Sequence, residues 1–349
     1  MSFEKTRQRL AELDRVIEAS DPDSRWLILT HDNPDPDALA SAAILSRILD
    51  HRHKRKTTCA YGGIIGRAEN REMVRVLGLK FSHLRYLRSE NYGHFALVDT
   101  QPRTGNNQLP KGTMPDVVFD HHPVRPPTRR VRFADVREHY GATATILGEY
   151  LEAAGEKPPK TLATAMIYAI RSETQDFRRE STAPDKALHD RLYPRADKTL
   201  LAKIQSSRLP VEYFRNLHTA LENLYTVETL VVSHLATLEH PDIVPEVADL
   251  LLRMEGKTWS LSTGIHGDRL YMSIRTTNSR ADAGRIMRRL VRRDGKGGGH
   301  GMLAGGWIGI PPEHAGDPRP LQIEVGRRLA SELKKNPERL QRLPIRNGN

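Results

Sequence analysis

Residues 25–49 read RWLILTHDNPDPDALASAAILSRIL, and the fold follows from how this stretch changes character along its length. Arg25 to Thr30 is apolar and bounded by turn formers, DPDS before it and HDNPDPD after it, which predicts a buried strand. Residues 38–49, ALASAAILSRIL, predict a helix. Between the two lies His31-Asp32-Asn33-Pro34-Asp35-Pro36-Asp37. A strand running straight into a helix sets that cluster at the carboxyl end of the strand, where open α/β sheets keep their ligands. His31, Asp35 and Asp37 bring one imidazole and two carboxylates onto a turn stiffened by two prolines. A polar turn capping a helix needs only one carboxylate. The surplus points to a metal, and an imidazole-carboxylate set suits manganese, iron or zinc.

The same alternation continues outward. Residues 57–61 read as a strand and 70–77 as a helix. FALV at 95–98 ends in Asp99, and DVVF at 116–119 ends in Asp120-His121-His122-Pro123. Two helical patterns follow, 142–151 and 162–170. Strands alternating with helices at this pitch predict an α/β fold with a largely parallel sheet. A lone strand-end Asp is usually a turn residue. Three strands of one sheet each ending in metal-ligand residue types is a different matter, and the recurrence carries the weight.

Residues 184–223 are helical and charged, a helical connector by pattern. A second block begins near Val227 with VETLVVSHL. It continues through two β-like runs, 259–265 and 270–274, joined by the turn HGD, and a helix over 281–292. GKGGGHGMLAGG, residues 295–306, reads as a loop in which Gly298 and Gly299 let backbone N–H groups approach an anion, with His300 as a further donor. The basic residues before it, Arg285, Arg288, Arg289, Arg292 and Arg293, reinforce an anion site, although a solvated face reads equally well. A last helix is expected over 327–335, with RLPIRNGN frayed. The N-terminal residues predict an amphipathic helix with Leu10, Leu13, Val16 and Ile17 on one face. His51 and His53 sit in a basic run expected at a solvated helix end, and VRPPTRRVR, residues 124–132, reads as a mobile surface loop. The domains are therefore expected at 1–24 (N-terminal helix), 25–195 (metal-binding), 196–226 (connector) and 227–349 (a smaller α/β domain).

Bulk composition narrows the partners. With 349 residues the chain has room for two domains, and 38% hydrophobic against 28% charged residues excludes a disordered chain. A net charge of +11 favours polyanions, while only 6% aromatic residues argues against extended base-stacking platforms. Cys59 is the single cysteine, so neither an intramolecular disulfide nor a thiolate metal cluster can form. No run resembles a signal peptide or a membrane span, so a soluble cytoplasmic protein without membrane contacts is expected; a homodimer is compatible with the sequence.

Taken together, the motifs resemble those of the DHH-superfamily phosphoesterases, named for the triplet standing here as Asp120–His122. The first family motif, H-x-x-P-D-x-D, is matched by His31, Pro34, Asp35 and Asp37; the second by Asp99 in VDTQP. The C-terminal signature of the DHH-associated domain is matched by Gly297 to His300 and Ala304 to Gly306. The resemblance spans about residues 25 to 310 and is nearest the branch that degrades very short RNAs and dephosphorylates 3′-phosphoadenosine 5′-phosphate.

That resemblance implies two divalent ions, Mn2+ foremost, one held by His31 and Asp35 and the other by Asp37 and His121, with Asp99 bridging. His122 would stand beside them as proton donor or phosphate contact, and Arg275 with the His300 loop would take the substrate phosphate. Water activated by the metal pair would then hydrolyse a short oligoribonucleotide, 3′-phosphoadenosine 5′-phosphate or a linear or cyclic dinucleotide. A loop pinning substrate from across a cleft favours short substrates. One motif departs from the pattern: relatives carry Asp-Thr after a helix, and here the segment reads Ser172-Glu173-Thr174. Glu173 is expected to take the ligand position, with Asp176 supporting it. The departure also motivates an alternative, a nucleotide-binding regulatory module with weakened catalysis. A pyrophosphatase of the same superfamily is disfavoured by the glycine-histidine signature.

Overall fold

The computed structural model describes residues 3–178 and 181–344, apart from the side chains of Phe3 and His300. The chain divides into two compact units, Met1–Ser207 and Arg208–Asn349.

In the first unit α1 (Phe3–Glu18) precedes β1 (Trp26–Leu29), α2 (Pro36–His53), β2 (Thr57–Tyr61), α3 (Ala68–Leu77), β3 (Ser82–His83), β4 (His94–Val98), β5 (Val117–Asp120) and β6 (Phe133–Val136). The helices α4 (Thr143–Ala153), α5 (Lys160–Glu173), α6 (Ala183–Leu192) and α7 (Lys198–Gln205) complete it. The six strands are all parallel, in the order β3-β2-β1-β4-β5-β6. Alternation along β1 sorts its side chains: Trp26 and Ile28 join the large core under α1, α2, α4 and α5, and Leu27 and Leu29 face a smaller core closed by Tyr92, Leu84 and Leu109. Strand order reverses between β1 and β4, so the crevice at their carboxyl ends is the switch point of the sheet.

The second unit comprises α8 (Val211–Glu222), β7 (Leu224–Val227), β8 (Leu230–Thr237), α9 (Ile243–Leu251), β9 (Trp259–His266), β10 (Arg269–Thr276), α10 (Ala283–Val291), β11 (Gly295–His300), β12 (Leu303–Gly309), α11 (Arg319–Glu332) and β13 (Gln341–Arg342). Its seven-stranded sheet runs β11-β12-β10-β9-β8-β7-β13, antiparallel except where β8 pairs with β9. The chain is thus an α/β protein with a parallel-sheet N-terminal unit and a second, mixed-sheet unit.

Several expectations need correction. The segment expected to be a connector is shared out: α7 joins the core of the first unit through Leu201 and Ile204, while Ala220 of α8 packs in the second unit's core. The glycine run is the edge strand β11, paired along its length with β12. Packing dictates this, because a Cβ at Gly299 would sit 2.3 Å from the Leu303 carbonyl oxygen and one at Gly297 would sit 2.8 Å from Met287 Cγ of α10. Gly298 alone of the three faces open space. The last helix begins at Arg319, and the tail places Gln341 and Arg342 against β7; residues 345–349 lie outside the described ones. His53 is tucked against Asp14 with its Nε2 2.8 Å from Oδ1, not solvated. Residues 126–130, expected in a mobile loop, form a 3-10 turn around buried Thr128. Among the described residues no helix is long and apolar enough to cross a membrane.

Candidate metal centre

The centre assembles at the switch point from the ends of β1, β4 and β5. Asp35 caps α2: its Oδ1 accepts the Ala38 N–H at 3.0 Å, and Pro36 opens the helix. That leaves Asp35 Oδ2 3.7 Å from His31 Nε2. Asp99 follows β4 in the left-handed region, φ +58°, a conformation Asp tolerates better than most residues and one that marks functional sites. Its Oδ2 lies 3.5 Å from His31 Nε2 and its Oδ1 3.7 Å from His121 Nε2. Asp99 therefore stands between the two imidazoles.

Both rings are oriented by backbone. His31 Nδ1 lies 2.9 Å from the Asp32 carbonyl and His121 Nδ1 3.1 Å from that of Tyr140. A carbonyl can only accept, so each Nδ1 carries the proton and each Nε2 is presented to the centre. His121 Nε2 is buried without a hydrogen-bond partner among the described residues. An orphaned ring nitrogen beside a buried carboxylate is what a metal-ligand site looks like from its donors, and the set fits a divalent cation. Two clusters satisfy ligand spacing, His31-Asp35-Asp99 and Asp99-His121-His122, each with its donor atoms within 4.8 Å of one another. They share Asp99.

The electrostatics agree. Burial pulls the His31 imidazole down, but bonds to Asp35 and Asp99 outweigh it and hold the ring well above its usual range. Burial together with the charges of Asp99, Asp35 and Glu173 pushes the Asp37 carboxyl well up. The site thus gathers negative charge that protons or cations must offset.

Asp37 is held differently from the other carboxylates. Its Oδ2 accepts the Thr143 N–H and its Oδ1 the Ala144 N–H, both at 2.7 Å, so it also caps α4. Oδ1 also takes the Ser41 hydroxyl at 3.5 Å, and Oδ2 keeps a second lone pair for a cation. Asp120, first of the triplet, orients its neighbours: Oδ1 takes the N–H of His121 at 2.9 Å and lies 2.8 Å from His122 Nδ1. Burial lowers the His122 imidazole, and the Asp120 bond more than restores it, leaving the ring above its ordinary value. Glu173, at the end of α5, is close enough for its charge to raise both Asp37 and His121. Asp176 is drawn away instead: its Oδ1 accepts from Arg171 Nε at 2.6 Å and its side chain is exposed.

In the second unit Arg275 does not reach out. Its Nε donates to Asp249 Oδ1 at 2.7 Å and its guanidinium also bonds Ser273 and the Ile274 carbonyl. Arg285, Arg288 and Arg289 are exposed on α10, as are Arg292 and Arg293 just beyond it. The side chain of His300 lies outside the described residues.

Sequence reasoning missed three supports. Thr143 donates its hydroxyl to Asp99 Oδ1 at 2.9 Å, the Tyr140 carbonyl sets His121, and buried Gln101 donates to Asp120 Oδ2 at 2.6 Å. The only sequence signal for Thr143 was its place at the start of a helix; its partner is 44 residues away.

With the geometry in hand, the class is defined: residues 25–170 match the DHH family N-terminal domain and residues 228–313 the DHHA1 domain. The chain belongs to the DHH superfamily and carries its C-terminal domain. It is similar to an uncharacterized protein of Methanocaldococcus jannaschii, 34% identical over 301 residues, covering 85% of this chain and 60% of that one. An A-adding tRNA nucleotidyltransferase of Geobacter sulfurreducens is 25% identical over 291 residues, 80% of this chain and 32% of that enzyme. The chain thus spans less than two thirds of either relative. Among solved structures an exopolyphosphatase-related protein from Bacteroides fragilis shares the fold, with a TM-score of 0.75 at 13% identity, over 94% of this chain and 96% of that one.

Proposed function

We propose that this chain is a phosphoesterase that binds two divalent ions, manganese foremost, and hydrolyses short oligoribonucleotides, 3′-phosphoadenosine 5′-phosphate or linear or cyclic dinucleotides. The observation that carries the reading is Asp99, shared by two donor clusters, with the Nε2 atoms of His31 and His121 3.5 and 3.7 Å from its two oxygens. Residues His31 and Asp35 would hold one ion and Asp37, His121 and Glu173 the other, with Asp99 between them. Ions bound there would neutralise charge on phosphoryl oxygens and acidify water.

The chain's own groups do the rest. Backbone carbonyls fix the His31 and His121 tautomers, and Thr143 with its helix N-terminus steadies Asp99 and Asp37. His122, whose imidazole is raised above its ordinary value by the Asp120 bond despite burial, would serve as the proton donor to the leaving oxygen. The glycine-histidine hairpin, open at Gly298, would hold a substrate phosphate through backbone N–H groups and His300. The relative named for tRNA is compatible with a ribonucleotide substrate. Against the weakened regulatory module stands Glu173, whose carboxylate bears on both Asp37 and His121 although the motif residue is not Asp.

The test is a panel of these substrates and a chromogenic phosphodiester, assayed with manganese, magnesium and cobalt, alongside elemental analysis. Two metals per chain and turnover abolished in Asp99→Ala are expected. Turnover in Asp99→Ala above a few per cent with two metals still bound would refute the shared-ligand arrangement, and inactivity of the metal-loaded wild type on every substrate would favour the regulatory module.

A further inference from the structure

Immediately after the Asp120-His121-His122 turn the chain runs Pro123-Val124-Arg125-Pro126-Pro127-Thr128-Arg129-Arg130. This stretch is tied directly to the metal centre by one buried side chain. Gln101, 1% exposed, donates through Nε2 to Asp120 Oδ2 at 2.6 Å and to the Pro123 carbonyl at 3.2 Å. Its Oε1 accepts the Arg125 N–H at 2.7 Å and the Thr128 hydroxyl at 2.8 Å. The Val124 N–H is held as well, by Glu138 Oε1 at 2.9 Å. Two prolines at 126 and 127 fix φ and remove the freedom that a basic loop would otherwise keep.

The 3-10 turn then decides where the charge goes. It has three residues per turn, so with Thr128 buried, Arg129 and Arg130 take the two remaining directions. Both are exposed, as is Arg125. Arg132 is matched to Asp116 at 3.1 Å, whereas among the described residues no carboxylate pairs with Arg125, Arg129 or Arg130. Three exposed guanidinium groups without a carboxylate partner among the described residues thus stand on or beside a turn that one glutamine joins to the residue orienting His122.

We propose that this turn is a cationic ledge for the sugar-phosphate backbone of a single-stranded oligonucleotide whose scissile phosphodiester lies at the metal centre. The inference rests on the phosphoesterase reading and narrows it: a mononucleotide offers the ledge at most one further phosphate, whereas a chain of several nucleotides offers a row of them, so such chains are the preferred class. Guanidinium is the suited group, since it binds phosphate through a planar fork and stays charged.

The test uses the full chain and fluorescently labelled di-, tri- and tetraribonucleotides, with anisotropy read in calcium to follow binding apart from turnover. The double variant Arg129→Gln/Arg130→Gln should weaken tetranucleotide binding about tenfold while dinucleotide binding falls less. The slope of log Kd against log salt should lose about 1.4, roughly 0.7 for each phosphate contact on a single strand. Arg129→Lys/Arg130→Lys should keep most of that slope. Equal weakening at every length, or an unchanged slope, would overturn the ledge. A wild-type chain that binds by length yet cleaves nothing keeps the ledge and removes the phosphoesterase; one that cleaves every length with the double variant indistinguishable from it does the reverse.

Discussion

Replacing Thr143 with valine removes one hydroxyl from the centre and almost nothing else. Valine has the same branched shape, so no cavity opens at this fully buried position, and both residues are β-branched and restricted at χ1. The Thr143 and Ala144 amides go on holding Asp37. What is lost is the 2.9 Å donation to Asp99 Oδ1, the carboxylate between the two imidazoles. A hydrogen bond to a charged group is worth about 1.5–3 kcal/mol, and Asp99 is too buried for water to replace it. Without that bond Asp99 can leave its place between the two imidazoles, so manganese affinity should fall about ten- to hundredfold, the usual consequence of losing a partner that orients a ligand. Calorimetric titration of metal-free protein with manganese measures this directly. Thr143→Ser, which keeps the hydroxyl, should recover most of the affinity while losing about 1 kcal/mol of stability to the missing methyl. Wild-type affinity in Thr143→Val, or a serine variant as impaired as the valine one, would show that Thr143 does not position Asp99.

Glu173→Ala should lose one of two bound metals and most activity, whereas Asp176→Ala, which breaks only the exposed Arg171 pair, should keep both metals; elemental analysis decides, and the opposite pattern would transfer the ligand role to Asp176. In the second unit, burial pulls the His234 imidazole down to about 3. The folded state therefore resists protonation that the unfolded chain accepts below its ordinary value of 6.5, so this residue's contribution is intact above that pH and lost on acidification. Between the two values stability should fall by roughly 1.4 kcal/mol per pH unit through this group. Denaturant titrations of wild type and His234→Leu at several pH values should show a shallower decline in the variant, and equal slopes would remove His234 as the cause.

Much of the centre is legible in the sequence, because each candidate ligand is local to a strand end. His31, Asp35, Asp99 and His121 lie at or just after apolar runs, and the order of residue types along the chain is enough to mark them. The alternation of strands and helices likewise carries the parallel sheet, since its periodicity is written in consecutive residues. Where one local signal admits two outcomes, the sequence misleads. Glycine permits a loop as readily as a strand packed tightly on a helix, and β11 is the strand because Met287 and the Leu303 carbonyl leave no room for side chains. Arg275 looks available from its position in β10, but Asp249, 26 residues earlier, already holds it.

The sequence by itself determined which residue types stand at the ends of β1, β4 and β5, and with them the family. The tertiary structure alone decided what holds those residues in place: Thr143 on Asp99, the Tyr140 carbonyl on His121, and Gln101 joining Asp120 to Arg125 and Thr128. The physical reason is the range of the interactions. A strand, a turn or a cap is set by neighbours within a few residues, whereas a buried hydrogen bond between distant segments forms only after the hydrophobic cores have brought them together, and no period or motif along the chain records it.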